Sequence, residues 1–254
     1  MSIAVQRPEP SQRPSNPDQR VAVGDMTHRS SGSRRVLAAL GVVLAMLLGS
    51  AVAITAPAGA DAPSFSVVAT VGVGSPTAVA VSPDGSRAYV SNGSGNSVSV
   101  IDTSTNEVVV ELVVGLYPSS VAVSPDGSRV YVANYDSSSV SVIDTSTNEV
   151  VATVDVESVP RRVAVSPDGS RLYLANSSDG VIVFDTSTNE VVATVAILDD
   201  YHQYIAVSPD GSRVYVGNYF DYSVSVIDTS TNEVVATVGV GSSPAGVAVS
   251  PDGS

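Results

Sequence analysis

The sequence contains no cysteine, no tryptophan and no lysine, and it has two histidines in 254 residues. Without cysteine there is no disulfide, no thiol nucleophile, no covalently attached haem and no thiolate metal site. Stability must therefore come from packing and from backbone hydrogen bonds. Because His202 is the only histidine after residue 60, His-cluster metal sites and a conventional repeated catalytic dyad are excluded there as well.

Charge is unevenly distributed along the chain. The net charge is −13 overall, but residues 61–254 carry six arginines against 22 acidic residues, which is a net charge of −16. Such an acidic body repels phosphate backbones, so nucleic acid is not expected as a partner. The hydrophobic content of 43% is sufficient for a packed core, which excludes disorder for most of the chain.

The first 60 residues have the composition of an export signal. Residues 1–35 are rich in Pro, Ser, Gln and Arg and lack apolar periodicity, which predicts a disordered leader. Residues 36–60 begin with 21 uncharged residues and end in Ala58-Gly59-Ala60, a small-x-small motif typical of signal peptidase sites. We predict a signal peptide hydrophobic segment cleaved after Ala60, with an uncleaved membrane anchor as the alternative. Either route predicts a secreted or cell-envelope protein that meets the membrane only through this segment.

A 42-residue repeat organises residues 61–254. The motif Ser-Pro-Asp-Gly-Ser recurs at this spacing, with its aspartates at Asp84, Asp126, Asp168, Asp210 and Asp252. Each of the first four copies is followed by a Tyr-Val-x-Asn motif or a close variant and then by Asp-Thr-Ser-Thr-Asn-Glu. Such self-similarity indicates a repeat architecture. The predicted units are 77–118, 119–160, 161–202 and 203–244, with a partial unit at 245–254.

Each unit divides into four short segments with strand chemistry, named a to d. Segment a, such as Ala78–Val81, is almost continuously apolar, which indicates a strand buried on both faces. Segments b and c alternate in polarity, and the Val-rich segment d, such as Glu107–Val114, closes the unit. Ser-Pro-Asp-Gly predicts an a–b turn with positive φ at Gly, and Thr-Asn-Glu predicts a c–d turn with left-handed Asn. No segment has helical periodicity.

Four antiparallel strands per unit indicate an all-β fold, a β-propeller of four-stranded antiparallel blades, because one such sheet cannot bury both faces without stacked neighbours. The units resemble the YVTN β-propeller repeat, whose Tyr-Val-Thr-Asn stretch reads Tyr-Val-Ala-Asn at Tyr131–Asn134. The resemblance covers about residues 63–254. It implies a ring, commonly of seven blades, found in surface-layer and other extracytoplasmic proteins.

The strand count predicts that this ring is not closed. An opening strand at Ser64–Val71, four full units and a final a strand at Ala245–Val249 give 18 strands, two fewer than five blades require. We therefore expect four full repeats plus partial ones, in a truncated chain or an incompletely closed ring with unpaired edges.

The loops predict where a ligand would bind. Because strand direction alternates, the a–b and c–d turns lie at one end of the blades, and the b–c loops and d–a crossings lie at the other. The first end is nearly identical in every unit, whereas the second varies and carries six of the ten tyrosines. Varied aromatic loops on a rigid scaffold suit binding, although unconstrained loop drift is the alternative. The candidate ligand face comprises Tyr117, Tyr135, Arg161, Arg162, Tyr201, His202, Tyr204, Tyr219, Phe220 and Tyr222.

Within this face, Arg161 and Arg162 are suited to hold a carboxylate or sulfate-like anion. The favoured function is a non-enzymatic binding or scaffold module at the cell envelope, with a protein or glycan partner and with no cofactor or metal. A metal site at Asp199, Asp200 and His202 is less favoured than a solvated acidic loop. Related propellers include lactonases and redox-enzyme subunits, so the resemblance leaves a lactonase-like or redox-associated enzyme as an alternative, and a purely structural spacer is the third.

Overall fold

The structure, a computed structural model, describes residues 20–22, 66–177, 180–197 and 202–253. All regular secondary structure in these ranges is β. Accordingly, the described part of the chain contains no helix of the length and apolarity needed to cross a bilayer. The chain divides into one unit of Met1–Val21 with Thr70–Ser254 and a second unit of Ala22–Ala69. Every blade belongs to the first unit.

The described residues form eighteen strands, and sixteen of these form four four-stranded antiparallel sheets, which confirms the predicted blades. The two short strands β1 (Arg20–Ala22) and β2 (Thr70–Gly72) form a separate two-stranded sheet.

Blade 1 contains β3 (Pro76–Val81), β4 (Arg87–Asn92), β5 (Ser97–Asp102) and β6 (Glu107–Val113). Blade 2 contains β7 (Pro118–Val123), β8 (Arg129–Asn134), β9 (Ser139–Asp144) and β10 (Glu149–Asp155). Blade 3 contains β11 (Pro160–Val165), β12 (Arg171–Asn176), β13 (Val181–Asp185) and β14 (Glu190–Val195). Blade 4 contains β15 (His202–Val207), β16 (Arg213–Asn218), β17 (Ser223–Asp228) and β18 (Glu233–Gly239).

The turn chemistry of the repeat appears as predicted. The glycines of the a–b turns in the four blades adopt φ between 73° and 76°, and the asparagines of the c–d turns adopt φ between 54° and 58°. Glycine reaches positive φ without steric cost, and asparagine tolerates it better than most residues. Each blade is therefore an a–b–c–d meander set by its own turns.

Neighbouring blades share their hydrophobic cores. The inner strands β3, β7, β11 and β15 contact one another in that order. Three buried clusters fill the spaces between blades 1 and 2, 2 and 3, and 3 and 4. In each, the tyrosine of strand b in one blade packs with the strand b and c residues of the next, as Tyr131 does with Leu172, Leu174 and Phe184. A blade thus buries its faces only against other blades, as the repeat pattern predicted.

The four blades do not close into a ring. Val79 of blade 1 is 41% exposed, whereas its equivalents Val121 and Val163 are 7% and 9% exposed. Val238 of blade 4 is 51% exposed, whereas its equivalent Val195 in blade 3 is 4% exposed. The first and last blades therefore each present apolar positions that the internal interfaces bury, in agreement with the expected incomplete ring.

The ends of the repeat region differ from the prediction. The predicted a strand Ala245–Val249 is not a strand, because no neighbouring strand in the described residues pairs with it. At the other end, the described part of the predicted Ser64–Val71 strand is regular only from Thr70, and it continues to Gly72. Its partner β1 lies inside the segment predicted as a disordered leader, so this short pairing was not foreseen.

A buried amide network joins strands b and c. Asn134 is fully buried, and its Nδ2 donates to Ser139 Oγ at 3.1 Å and Ser141 Oγ at 2.9 Å. Blades 1 and 4 repeat this arrangement. The alternation of segment c had indicated one row on each face, and both rows are buried because this network satisfies the serine hydroxyls. In blade 3, Gly180 and Ile182 occupy the two serine positions.

The different third blade leads to a stability prediction. Among the residues that the structure describes, neither Nδ2 nor Oδ1 of Asn176 has a hydrogen-bond partner, whereas Nδ2 of its equivalent Asn134 has two. We expect Asn134→Ala to lower the free energy of unfolding by about 2 kcal/mol, because two buried hydroxyls lose their donor. Asn176→Ala should cost less than half as much, since it removes no hydrogen bond. Urea unfolding of both variants measures the difference, and equal costs would contradict the role assigned to the network.

Candidate functional site

The end formed by the a–b and c–d turns is stabilised by hydrogen bonds and ion pairs within each blade. In blade 2, Asp126 Oδ1 accepts hydrogen bonds from Ser124 Oγ at 2.5 Å and Ser128 N at 3.0 Å. These bonds lower the pKa of Asp126 from 3.8 to about 2. An ion pair of 2.6 Å between Arg129 and Asp144 joins the two turns of the blade. Because the same contacts recur in other blades, these carboxylates hold turns rather than serve a unique site.

The opposite end contains a cavity of about 430 Å³ that spans blades 1, 2 and 3. The residues that line it are Thr77, Tyr117, Ser119, Tyr135, Asp136, Arg161 and Arg162. Its volume lies in the range of small-molecule sites. Four of the predicted ligand-face residues, two tyrosines and two arginines, are therefore brought together here.

Hydrogen bonds hold the loops that carry the aromatic residues. Tyr117 lies at the crossing from blade 1 to blade 2 with φ 49°, and its backbone N donates to Asn96 Oδ1 at 2.9 Å. Tyr135 N donates to Tyr117 O at 2.9 Å, which ties the b–c loop of blade 2 to the same crossing. The two rings meet edge to face with centroids 6.0 Å apart. One wall of the cavity is thus a fixed aromatic pair.

Neighbouring blades are also tied together beneath the cavity. Thr77 Oγ1 donates to Pro118 O at 2.6 Å, from blade 1 to blade 2. Ser119 Oγ donates to Pro160 O at 3.1 Å, from blade 2 to blade 3. Thr77, Ser119 and Arg161 occupy the same repeat position, 42 residues apart, so the third blade places an arginine where the first two place a hydroxyl.

Arg161 is packed against the aromatic wall. Its guanidinium carbon lies 5.1 Å from the ring centroid of Tyr135. Arg161 Nε donates to Ser177 Oγ at 2.7 Å, and Nη2 donates to the Tyr135 hydroxyl at 3.3 Å. This arrangement is a cation–π contact reinforced by hydrogen bonds, and it fixes the position of the charge.

Arg162 lies beside it in a desolvated position. Its Nη1 donates to Ser119 O at 2.9 Å and to Arg161 O at 3.0 Å, and its guanidinium carbon lies 5.8 Å from the Tyr204 ring centroid. Burial lowers the pKa of Arg162, and the like charge of Arg161 also lowers it, against an opposing effect of Tyr204. No carboxylate forms an ion pair with Arg162 in the described ranges.

The remaining predicted residues lie elsewhere. Tyr204 contacts Arg162 but is not among the described residues that line the cavity. Tyr219 and Phe220 form a separate edge-to-face pair with centroids 5.2 Å apart, and Tyr222 is an exposed residue with φ 53° in the same loop. Tyr201 lies outside the described residues. His202 is the first residue of β15, and its side chain is also outside the description.

Three cavity residues were not predicted: Thr77, Ser119 and Asp136. The repeat register contained the signal for the first two, because they are equivalent to Arg161. Asp136 directly follows Tyr135 in a loop already singled out for its variation. No group of three His, Asp or Glu side chains in the described segments is arranged to hold a metal ion, and the candidate ligands Asp199 and Asp200 fall outside those segments.

Comparison with known families agrees with this architecture. A model of the YNCE-like β-propeller matches residues 38–171, a little more than half of the chain. The chain belongs to the YNCE-like β-propeller family. The match begins inside the predicted signal segment and ends at the start of β12. The finer YVTN resemblance and its association with surface layers remain predictions for this YNCE-like propeller.

Solved structures give the same fold. The YNCE-like chain is similar to Kuenenia stuttgartiensis hydrazine synthase at 30% identity and a TM-score of 0.68, covering 78% of this chain and 57% of that one. It is also similar to the β-propeller domain of Myceliophteria thermophila Cps50 (Swd1) at 16% identity and a TM-score of 0.66, covering 73% of this chain and 62% of that one. The YNCE-like chain thus spans about three fifths of these structures. No curated protein sequence matches it.

Proposed function

We propose that this YNCE-like propeller is an exported binding module of the cell envelope and that its ligand enters the cavity between blades 1, 2 and 3. The observation that carries this proposal is the location of the cavity. It lies at the end where the repeats differ, whereas the other end repeats the same turn contacts. A scaffold with one uniform end and one divergent end suits recognition through the divergent loops.

The chemistry of the cavity supports binding rather than spacing. Two arginines and two tyrosines converge there, and arginine and tyrosine are enriched where proteins bind partners. The positions of Arg161 and Tyr135 are fixed before a ligand arrives, because Arg161 donates hydrogen bonds to Ser177 and to the hydroxyl of Tyr135. A preorganised site loses little conformational entropy on binding. A purely structural spacer would have no need for this arrangement.

Export follows from the predicted signal segment at residues 36–60. A partner at the cell surface is then a protein or a glycan, and the acidic body disfavours nucleic acid. A catalytic role is less well supported, although one similar structure is named hydrazine synthase. The match covers 57% of that structure, so the activity in its name is not carried over to this chain.

The proposed function is tested by cell-surface retention of the tagged full-length chain. We expect the double variant Arg161→Ala with Arg162→Ala to be retained about tenfold less than the wild type, because two central charged contacts are lost. The matched control is Arg129→Ala with Arg171→Ala, which removes the same charge at the turn end. Thermal unfolding of both variants verifies that they are folded. Wild-type retention of the first double variant would reject the proposal.

A further inference from the structure

Arg162 has hydrogen-bonding capacity that the protein does not use. Among the described residues, it donates through Nη1 alone, to the carbonyls of Ser119 and Arg161. The Nε and Nη2 groups have no hydrogen-bond partner in the described parts of the chain, and neither is among the buried unpartnered atoms. These two nitrogens form the edge of the guanidinium that binds a carboxylate through two parallel hydrogen bonds.

Arg162 also has no carboxylate paired with it among the described residues. The side chain is half-buried and lies beside a second arginine. By contrast, the arginines that begin strand b in blades 2, 3 and 4, Arg129, Arg171 and Arg213, each form an ion pair with an aspartate. A desolvated positive charge is costly unless it is paired, so an anionic ligand would supply the missing partner.

The rest of the cavity lining indicates what the anion is attached to. Asp136 is an exposed carboxylate that accepts hydrogen bonds from hydroxyl groups, and it repels a dianionic phosphate or sulfate more strongly than a singly charged carboxylate. Tyr117, 42% exposed, offers an aromatic ring against which the C–H face of a sugar packs. The described lining contains no valine, leucine or isoleucine, so an apolar peptide side chain would find no matching surface.

We propose that the cavity binds the carboxylate of an acidic sugar, a uronate at the end or side of a glycan. In this arrangement, the Nε–Nη2 edge of Arg162 binds the carboxylate, Asp136 accepts sugar hydroxyls and Tyr117 packs on the ring. The volume of about 430 Å³ accommodates one or two sugar units. This inference rests on the proposed function and specifies its ligand class.

The test is a calorimetric titration of the full-length protein with glucuronate and with its neutral amide, glucuronamide. We expect a dissociation constant of about 1 mM for glucuronate, which is typical of a ligand of this size. Glucuronamide and glucose should bind at least about tenfold more weakly, since they lose the charge-assisted pair. Acetate and sulfate should also bind more weakly, because they lack the sugar ring and its hydroxyls.

Substitutions locate the binding. Arg162→Gln should weaken glucuronate binding at least about tenfold, and Arg162→Lys should restore it only in part because lysine lacks the bidentate fork. Arg171→Gln, the matched change at the turn end, should leave it unchanged. If Arg162→Gln does not fold, nuclear magnetic resonance of the wild type still tests the site, because glucuronate should shift the ring signals of Tyr117 and leave those of Phe220 unaffected.

Several results would overturn the inference. These are equal binding of glucuronate and glucuronamide, equal binding of acetate or sulfate, tighter binding of N-acetylglutamate as a peptide-like carboxylate, and unchanged binding by Arg162→Gln. Suppose that glucuronate does not bind, but that the Arg161→Ala, Arg162→Ala double variant is retained less at the cell surface than the wild type. The saccharide inference then fails and the proposed function stands. If that variant is also retained normally, both fail.

Discussion

Replacing Gly180 by alanine should unfold the protein at much lower denaturant than the wild type. A Cβ at this position would lie 2.2 Å from Val195 O and 2.7 Å from Ile197 N, and both are backbone atoms that cannot rotate away. The residue also has φ +83°, where side chains are disfavoured. We expect a loss of at least about 3 kcal/mol in the free energy of unfolding, measured by urea denaturation.

The matched control is Gly85→Ala in the a–b turn of blade 1. This glycine has a similar φ of +74°, but a Cβ there would meet nothing within 4 Å. The variant should therefore lose only the conformational term of about 1 kcal/mol. Equal losses at both positions would show that the close backbone approach at Gly180 is not what requires glycine.

The reason for this constraint lies in the shortened third repeat. Blade 3 has one residue fewer between Asn176 and Asp185 than the other blades have between the equivalent asparagine and aspartate. The turn is closed by a hydrogen bond of 2.9 Å from Asn176 N to Gly180 O, and the chain then passes directly against the end of β14. The shorter connection accounts for the close approach at Gly180, whereas Asn176 lacks serine partners because Gly180 and Ile182 stand at the two serine positions.

Replacing Phe184 by alanine is the second change with a large expected effect. This side chain is fully buried, and it packs with Tyr131, Val140 and Val142 of blade 2. Its loss should lower the free energy of unfolding by about 3–5 kcal/mol, because the rigid strands around it cannot move in to fill the void that the missing ring leaves. Urea denaturation measures the change.

Phe220→Ala is the control for this substitution. It removes the same atoms from a side chain that is 56% exposed in the b–c loop of blade 4. The expected loss is within about 0.5 kcal/mol, as for most surface substitutions. A large loss for Phe220→Ala, or a small one for Phe184→Ala, would contradict the assignment of the core to the spaces between blades.

Much of the fold could be predicted because each repeat carries its own turn signals. The Ser-Pro-Asp-Gly and Thr-Asn-Glu motifs determine local φ angles, and the four copies place them in register. The end segments could not be predicted in the same way. Ala245–Val249 has the residues of a strand, but a strand also needs a hydrogen-bonding neighbour, and the local sequence does not reveal whether one is present.

The candidate site was predicted in part. Loop variation and tyrosine distribution pointed to Tyr117, Tyr135, Arg161 and Arg162 among other residues, and the structure places these four around one cavity. Their contacts depend on how three blades stack, and no local pattern contains that information. The buried amide network was missed for a related reason, since alternation alone does not show that both rows of segment c are covered.

Each blade is stable only when it packs against its neighbours. Hydrogen–deuterium exchange of the full-length Phe184→Ala variant tests this claim, since exchange reports local stability along the chain. We predict that protection falls in β8 and β9 of blade 2 as well as in β12 and β13 of blade 3. Loss of protection confined to blade 3, with blade 2 as protected as in the wild type, would contradict the account.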